Sequence, residues 1–230
     1  METNTPVRPV PQPVLTRVRV TFSKSGSLIY TGALDLQKIW ERVIRRAKLN
    51  LAYTQGFNPG PRINLASALP LGVNSEQELA DFWFIDPPDL NEFCDRINRA
   101  APSGLRALTA VVVPLSTPAL QTRVDASEYR SGTLSVELFR KAQESVARLL
   151  DAETLPRERR GKPYDLRPLI INLQAVEEPS GQGHLEMTLQ AREGATGRAD
   201  EVLAALGLEP SDLTLTRTKI ILKPDSPVIK

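Results

Sequence analysis

Between Lys38 and Arg62 the chain carries six cationic side chains, Lys38, Arg42, Arg45, Arg46, Lys48 and Arg62, opposed only by Glu41. That is a local charge of +5 in a chain whose net charge is +2. Positive charge gathered into so short a stretch is the electrostatic footprint of a polyanion site, with a solvated helix face as the plain alternative. Immediately downstream, Gln55-Gly56-Phe57-Asn58-Pro59-Gly60-Pro61 combines two glycines, which permit positive φ or close backbone approach, with two prolines that fix φ and remove donors. Such a bend can present backbone N–H groups and Asn58 beside Arg62, with Gln55 and Phe57 shaping the site. A rigid structural turn is the alternative. It is not a P-loop, because no Gly-Lys-Ser/Thr follows, and it is not a dinucleotide fingerprint.

A second basic run, residues 155–168, holds Arg157, Arg159, Arg160, Lys162 and Arg167 against Glu158 and Asp165, a balance of +3. Its prolines and Gly161 argue against a long helix. A basic extended loop with one aromatic, here Tyr164, can follow a phosphate backbone while stacking a base. An exposed connection, with Asp165 and Arg167 serving a turn, is the alternative. The polyanion-binding set is therefore Arg42, Arg45, Arg46, Lys48, Gln55, Phe57, Asn58, Arg62, Arg157, Arg160, Lys162 and Arg167.

Hydrolytic and metal chemistry find little support. The one histidine, His184, and the one cysteine, Cys94, lie 90 positions apart. Together they build neither a zinc site nor an iron–sulfur site, and no Cys/His or Ser/His machinery. His184 reads as an exposed strand-end residue and Cys94 as a buried structural thiol. Asp35 is a general base, an arginine partner, or a carboxylate favoured near the positive end of a helix dipole. No catalytic residue, metal or cofactor is expected. A lone cysteine excludes an intramolecular disulfide and fits a reducing compartment. The N-terminal METNTPVRPVPQPV has no apolar signal core, and no run reaches membrane-spanning length. A soluble, cytoplasmic protein with no membrane partner is the expectation.

These residues must be positioned by elements that the hydrophobic pattern outlines. Val18, Val20 and Phe22 alternate with Arg17, Arg19 and Thr21, a strand with one buried face. Arg17 and Arg19 point off that face and could extend the basic surface. A helix from about 33 to 48 buries Leu36, Ile39, Trp40, Val43, Ile44 and Ala47. Strands are expected over 62–69 and 79–85, a helix over 89–100 after Pro87-Pro88-Asp89, and a strand over 105–114. Trp40, Phe82, Trp83 and Phe84 read as core.

The order β-α-β-β-α-β is the ferredoxin-like plan, and it recurs. Residues 120–130 read as a strand, 134–150 as a helix, and 169–176 with 184–192 as a hairpin. Residues 198–206 read as a short helix ended by Gly207, and 212–222 as a strand. In that last strand the apolar phase changes near Arg217 or Thr218, which predicts a bulge or twist. An apolar fraction of 41% over 230 residues is enough for a real core. The expected organisation is α+β, two tandem ferredoxin-like units in one body. Residues 1–13 form a disordered tail, 14–116 the first unit with the basic helix and bend, and 117–230 the second with the basic loop.

Several words of the first unit carry a family resemblance. They are Arg17–Phe22 with Lys24 and Gly26, then Leu34-Asp35, Arg42 and Arg45-Arg46-Ala47. Tyr53, Gln55-Gly56-Phe57-Asn58-Pro59 and Leu69-Pro70-Leu71-Gly72 complete them. Residues 17–85 resemble the radical SAM-linked domain of unknown function found fused to, or encoded beside, cobalamin-binding radical SAM proteins in bacteria. That family usually has Ser-His before Leu-Asp; Gly32-Ala33 stands here, so any role of that histidine is missing. The resemblance implies a radical SAM protein as partner. The paired layout is also similar to the repeat-processing RAMP endoribonucleases, which implies RNA binding without hydrolysis when His184 is the sole candidate. The leading expectation is a non-catalytic accessory protein that binds RNA or another polyanion. Its rivals are a protein-interaction adaptor docking on the radical SAM partner, and a metal-independent endoribonuclease using Asp35, Tyr53 or lysines.

Overall fold

The computed structural model describes residues 15–159, 161–192 and 194–224; the expectation for the N-terminal tail lies outside them. In the first half, β1 (Thr16–Lys24) buries Val18, Val20 and Phe22. It is followed by α1 (Ala33–Arg46), β2 (Ile63–Leu65), β3 (Val73–Phe84), α2 (Leu90–Ala100) and β4 (Leu105–Val113). The Asp89 carboxylate caps α2 by accepting the Asn91 N–H at 2.9 Å, satisfying a donor the helix itself cannot. β1 lies between β4 and β3, β2 lies outside β3, and all three pairings are antiparallel.

The second half has α3 (Leu120–Arg123), β5 (Val124–Ser131) and α4 (Val136–Asp151), then the hairpin β6 (Pro156–Arg159) and β7 (Lys162–Asp165). β8 (Ile170–Glu177), β9 (Gly183–Arg192), β10 (Ala195–Thr196), α5 (Ala199–Ala205) and β11 (Leu215–Leu222) complete it. Here β5 lies between β11 and β9, with β8 outside β9, again antiparallel. The two halves thus share one strand order, and the class is α+β. β11 runs parallel to the start of β3 over Leu215–Arg217, which fuses both halves into a nine-stranded sheet.

Both helix layers cover the same face of that sheet. α1 and α2 pack on Val18, Phe22, Phe82 and Phe84, while α4 and α5 pack on Tyr129, Leu185, Leu189 and Leu215. Arg217, two residues along from Leu215, reaches Glu78, and Glu78 is the cross-strand partner of Phe22. The register of β11 shifts between Arg217 and Lys219. That bulge, expected from the phase change, turns Ile220 and Leu222 onto the opposite face, where they meet Leu120 and Val124.

Four expectations need correction. Residues 120–123 are helix, not strand, because Leu120 plugs the small cluster on the far face while Thr122 bonds back to Ala119. β2 is shorter than the expected strand and β3 begins six residues earlier, at Val73. The sequence hid that start because Ser75 and Glu78 are buried polar residues inside the strand. The basic run after α4 is a two-stranded hairpin, not an extended loop. Trp83 is not core: alternation with Phe82 and Phe84 puts it on the face away from the helices.

Candidate functional site

α1 closes with the Lys48 N–H donating to the Arg45 carbonyl and the Leu49 N–H donating to the Ile44 carbonyl, both at 3.1 Å. Lys48 takes φ +56°, the left-handed C-terminal position usually given to glycine. Arg96 of α2 donates to the Ala47 and Lys48 carbonyls at 2.7 and 3.0 Å, placing positive charge where the helix dipole is negative. Arg42, Arg45, Arg46 and Lys48 are exposed around this end. No acidic side chain among the described residues forms an ion pair with any of them.

The glycine–proline bend is moored beside them. The Tyr53 hydroxyl donates to Glu41 of α1 at 2.8 Å, and that bond, with partial burial, pushes the phenol pKa up. Thr54 and Gly60 close the loop twice: the Thr54 N–H donates to the Gly60 carbonyl at 2.8 Å, and the Gly60 N–H to Thr54 Oγ1 at 3.0 Å. Gln55 and Asn58 are exposed, and Phe57 at the tip is 100% exposed. Glu41 and Arg45 of α1 thus border the base of the bend.

The other expected residues lie elsewhere. Arg62 sits on the opposite face of the sheet, its guanidinium 5.0 Å over the Trp83 ring, with Arg17 at 4.9 Å from the same ring. Arg17 and Arg19 do not extend a basic surface: both donate to Asp81, which is wholly buried. On the hairpin, Arg157 faces Glu201 of α5 at 3.8 Å and Lys162 is exposed; Arg160 lies outside the described residues. Arg167 donates to the Leu150 carbonyl at 2.9 Å, and Asp165 accepts the Leu155 and Arg167 N–H groups. Both thus serve the turn. Tyr164 packs against the second half's core, so it is no stacking platform. No hydrogen bond or ion pair among the described residues joins the hairpin to α1 or the bend. His184 is largely covered, its ring nitrogens 3.5 Å from Glu178 and Glu186, and not the exposed strand-end residue expected.

Sequence reading missed a second constellation. Where β11 meets β3, Arg217 donates to Glu78 from Nε and Nη2, and to Ser67 Oγ at 2.9 Å. Burial pulls the guanidinium pKa down, but the Glu78 charge and its hydrogen bonds outweigh it, with the Tyr129 phenol adding to the rise. Lys24 is buried nearby, bonded to the Thr31 carbonyl at 3.0 Å. Above this floor opens a cleft of about 1180 Å³ between the halves. Tyr30 and the Leu69–Gly72 turn form one wall, and Ala199 with Pro210–Leu213 the other. The one signal in the sequence was that Lys24 and Leu69-Pro70-Leu71-Gly72 belong to the family words.

Residues 17–199 match the model of a family described as an uncharacterized protein conserved in bacteria. No curated protein matches this sequence. Among solved structures, a DypB variant in complex with manganese aligns over 85% of this chain and 84% of its own, at 10% identity. Its TM-score of 0.18 is too low to carry any inference.

Proposed function

The chain belongs to that family, DUF2344, and we propose that it is a non-catalytic accessory protein that holds single-stranded RNA on the α1–bend surface. The observation that carries this reading is Phe57. A fully exposed aromatic ring is held out on a loop tied across its base and moored to α1, whose exposed Arg42, Arg45 and Arg46 form no ion pair among the described residues. Cations that follow a backbone, with a ring that stacks a base, are the parts a sequence-tolerant single-strand site uses. Two side chains weighed for cleavage have other partners: Asp35 is exposed and paired with Lys38 at 3.2 Å, and the Tyr53 hydroxyl donates to Glu41. Association with a radical SAM enzyme, and a cytoplasmic location, are part of the same proposal; the first rests on the sequence words shared with radical SAM-linked proteins.

Fluorescence anisotropy with a labelled RNA of about a dozen nucleotides tests it. Binding should weaken as salt rises from about 50 to 200 mM, and the triple change of Arg42, Arg45 and Arg46 to Ala should flatten the log–log slope by about 2. No binding at the lower salt, or a triple variant that binds as the parent does, sinks the proposal.

A further inference from the structure

We propose that the cleft between the two halves receives an extended, uncharged segment of a partner polypeptide, anchored by apolar side chains on Tyr30 and Leu71. This site is separate from the RNA surface. The first residue of α1, Ala33, lies near the cleft, lining a small cavity with Ser67 and Leu69, and the basic residues gather at the other end of this 14-residue helix. At 1.5 Å per residue the two ends are about 20 Å apart.

Charge selects the class of occupant. Among the described residues, five ionised side chains line the cleft: Arg159, Arg198, Asp200, Asp212 and Arg217. Arg217 is neutralised by Glu78, and Arg198 by Asp200. One cation and one anion remain, so the described lining is electrically balanced. A phosphate chain would lose its hydration here with no compensating charge.

Size and surface chemistry point the same way. A volume of about 1180 Å³ exceeds the roughly 300–1,000 Å³ of small-molecule sites. Tyr30 and Leu71 stand at the rim 72% and 63% exposed, and the Gly72 N–H donates to the Ile29 carbonyl at 3.0 Å, which holds the two segments together. Large apolar side chains fixed at the mouth of a concave surface are what a protein partner's anchors bury. The floor supplies a polar contact that the fold itself leaves open. Ser127 is 1% exposed, lines the cleft, and its Oγ has no hydrogen-bond partner among the described residues. A peptide group reaching the floor would satisfy it.

The test pans phage-displayed random peptides of about twelve residues on the full chain, then titrates synthetic copies of the enriched peptides by anisotropy. Enriched sequences should carry near-zero net charge and a pair of aliphatic or aromatic residues. Their affinity should change by less than about twofold between 50 and 300 mM salt, since no counterions are released. Leu71→Asp and Tyr30→Ala, both at exposed positions, should each weaken binding by about tenfold or more while the melting temperature holds. The RNA probe should bind Leu71→Asp as it binds the parent, so failure of this site and failure of the RNA surface are told apart. The proposal is overturned if no peptide is enriched, if enriched peptides are acidic and salt-sensitive, or if Leu71→Asp binds them undiminished. Loss of RNA affinity in Leu71→Asp would assign the cleft to nucleic acid instead.

Discussion

Arg217 and Glu78, 139 positions apart in sequence, face each other through two hydrogen bonds, Nε to Oε1 at 2.7 Å and Nη2 to Oε2 at 2.5 Å. Both side chains are nearly out of water. The pair sits where only three residues of β11 run beside β3, so a bidentate ion bond reinforces a short backbone seam. Arg217 then reaches on to Ser67, Ala68 and, through them, the turn that walls the cleft.

Removing one partner of this pair should be far worse than its net contribution suggests, because the other charge is left buried and alone. Glu78→Ala strands both Arg217 and Lys24, and should lose about 3–5 kcal/mol in urea unfolding. The double change of Glu78 to Leu with Arg217 to Leu should recover much of that loss. A single change costing under about 1 kcal/mol would mean that the pair is solvated.

Lys24 makes a pH-dependent prediction. Burial, the largest influence, lowers its pKa from 10.5; Glu78 pulls it back up and Arg217 pushes it down. The folded chain therefore releases this proton before the unfolded chain does. Between the lowered folded value and 10.5 the unfolded state holds more protons, so this group's contribution to stability rises with pH, and its burial penalty is fully present below that window. Lys24→Met should be within about 1 kcal/mol of the parent at neutral pH, or more stable. The difference between parent and variant should shift in the parent's favour as pH climbs toward 10.5. A difference independent of pH would mean that the ammonium stays charged throughout.

How far the sequence could be read depended on where polar residues sit. Val18, Val20 and Phe22 announced β1 by apolar alternation, although Arg17 and Lys24 of the same strand are buried too, and Leu36, Trp40, Val43 and Ile44 announced α1 by helical spacing. The start of β3 did not show itself, since Ser75 and Glu78 break the alternation while being buried. The burial of Glu78 is explained by Arg217 and Lys24, which arrive from other strands, while Ser75 stands opposite both in the sheet register. Trp83 was misplaced for the converse reason: an aromatic among Phe82 and Phe84 looks like core, and only strict alternation puts it between two arginines. The exposed cations of α1 and the bend were legible from local sequence. The cleft was not, because its walls come from segments more than a hundred residues apart.

Asp81 organises the far face of the first half. It accepts from Arg17 Nε at 2.9 Å and from Arg19 Nε at 2.8 Å, and Arg17 passes on to the Thr117 and Pro118 carbonyls, at 2.5 and 3.0 Å. A buried guanidinium thus pins the segment that leads from β4 into the second half. Arg17→Met keeps the bulk of the side chain and removes these bonds, so amide exchange around 115–119 should speed up by about tenfold or more. Exchange in α4 should be unchanged. Uniform acceleration across both halves would show that Arg17 supports global stability and not this local tether.

Two glycines with nearly the same backbone angle should differ sharply when replaced. Gly104 has φ +88° and Gly207 has φ +77°, so alanine at either position pays for a left-handed conformation, about 1–2 kcal/mol. Around Gly207 a Cβ meets nothing within 4 Å. At Gly104, just before β4, it would lie 2.2 Å from the backbone carbonyl oxygen of Ser25, the residue after β1, whose N–H donates to the Gly104 carbonyl at 2.8 Å. Relief requires opening that bond and shifting the end of β1, so Gly104→Ala should lose at least about 2 kcal/mol more than Gly207→Ala. Thermal unfolding of the two variants side by side measures the difference. Equal losses would mean that the link between β1 and β4 yields easily, and that the packing around Lys24, the last residue of β1, is looser than the geometry requires.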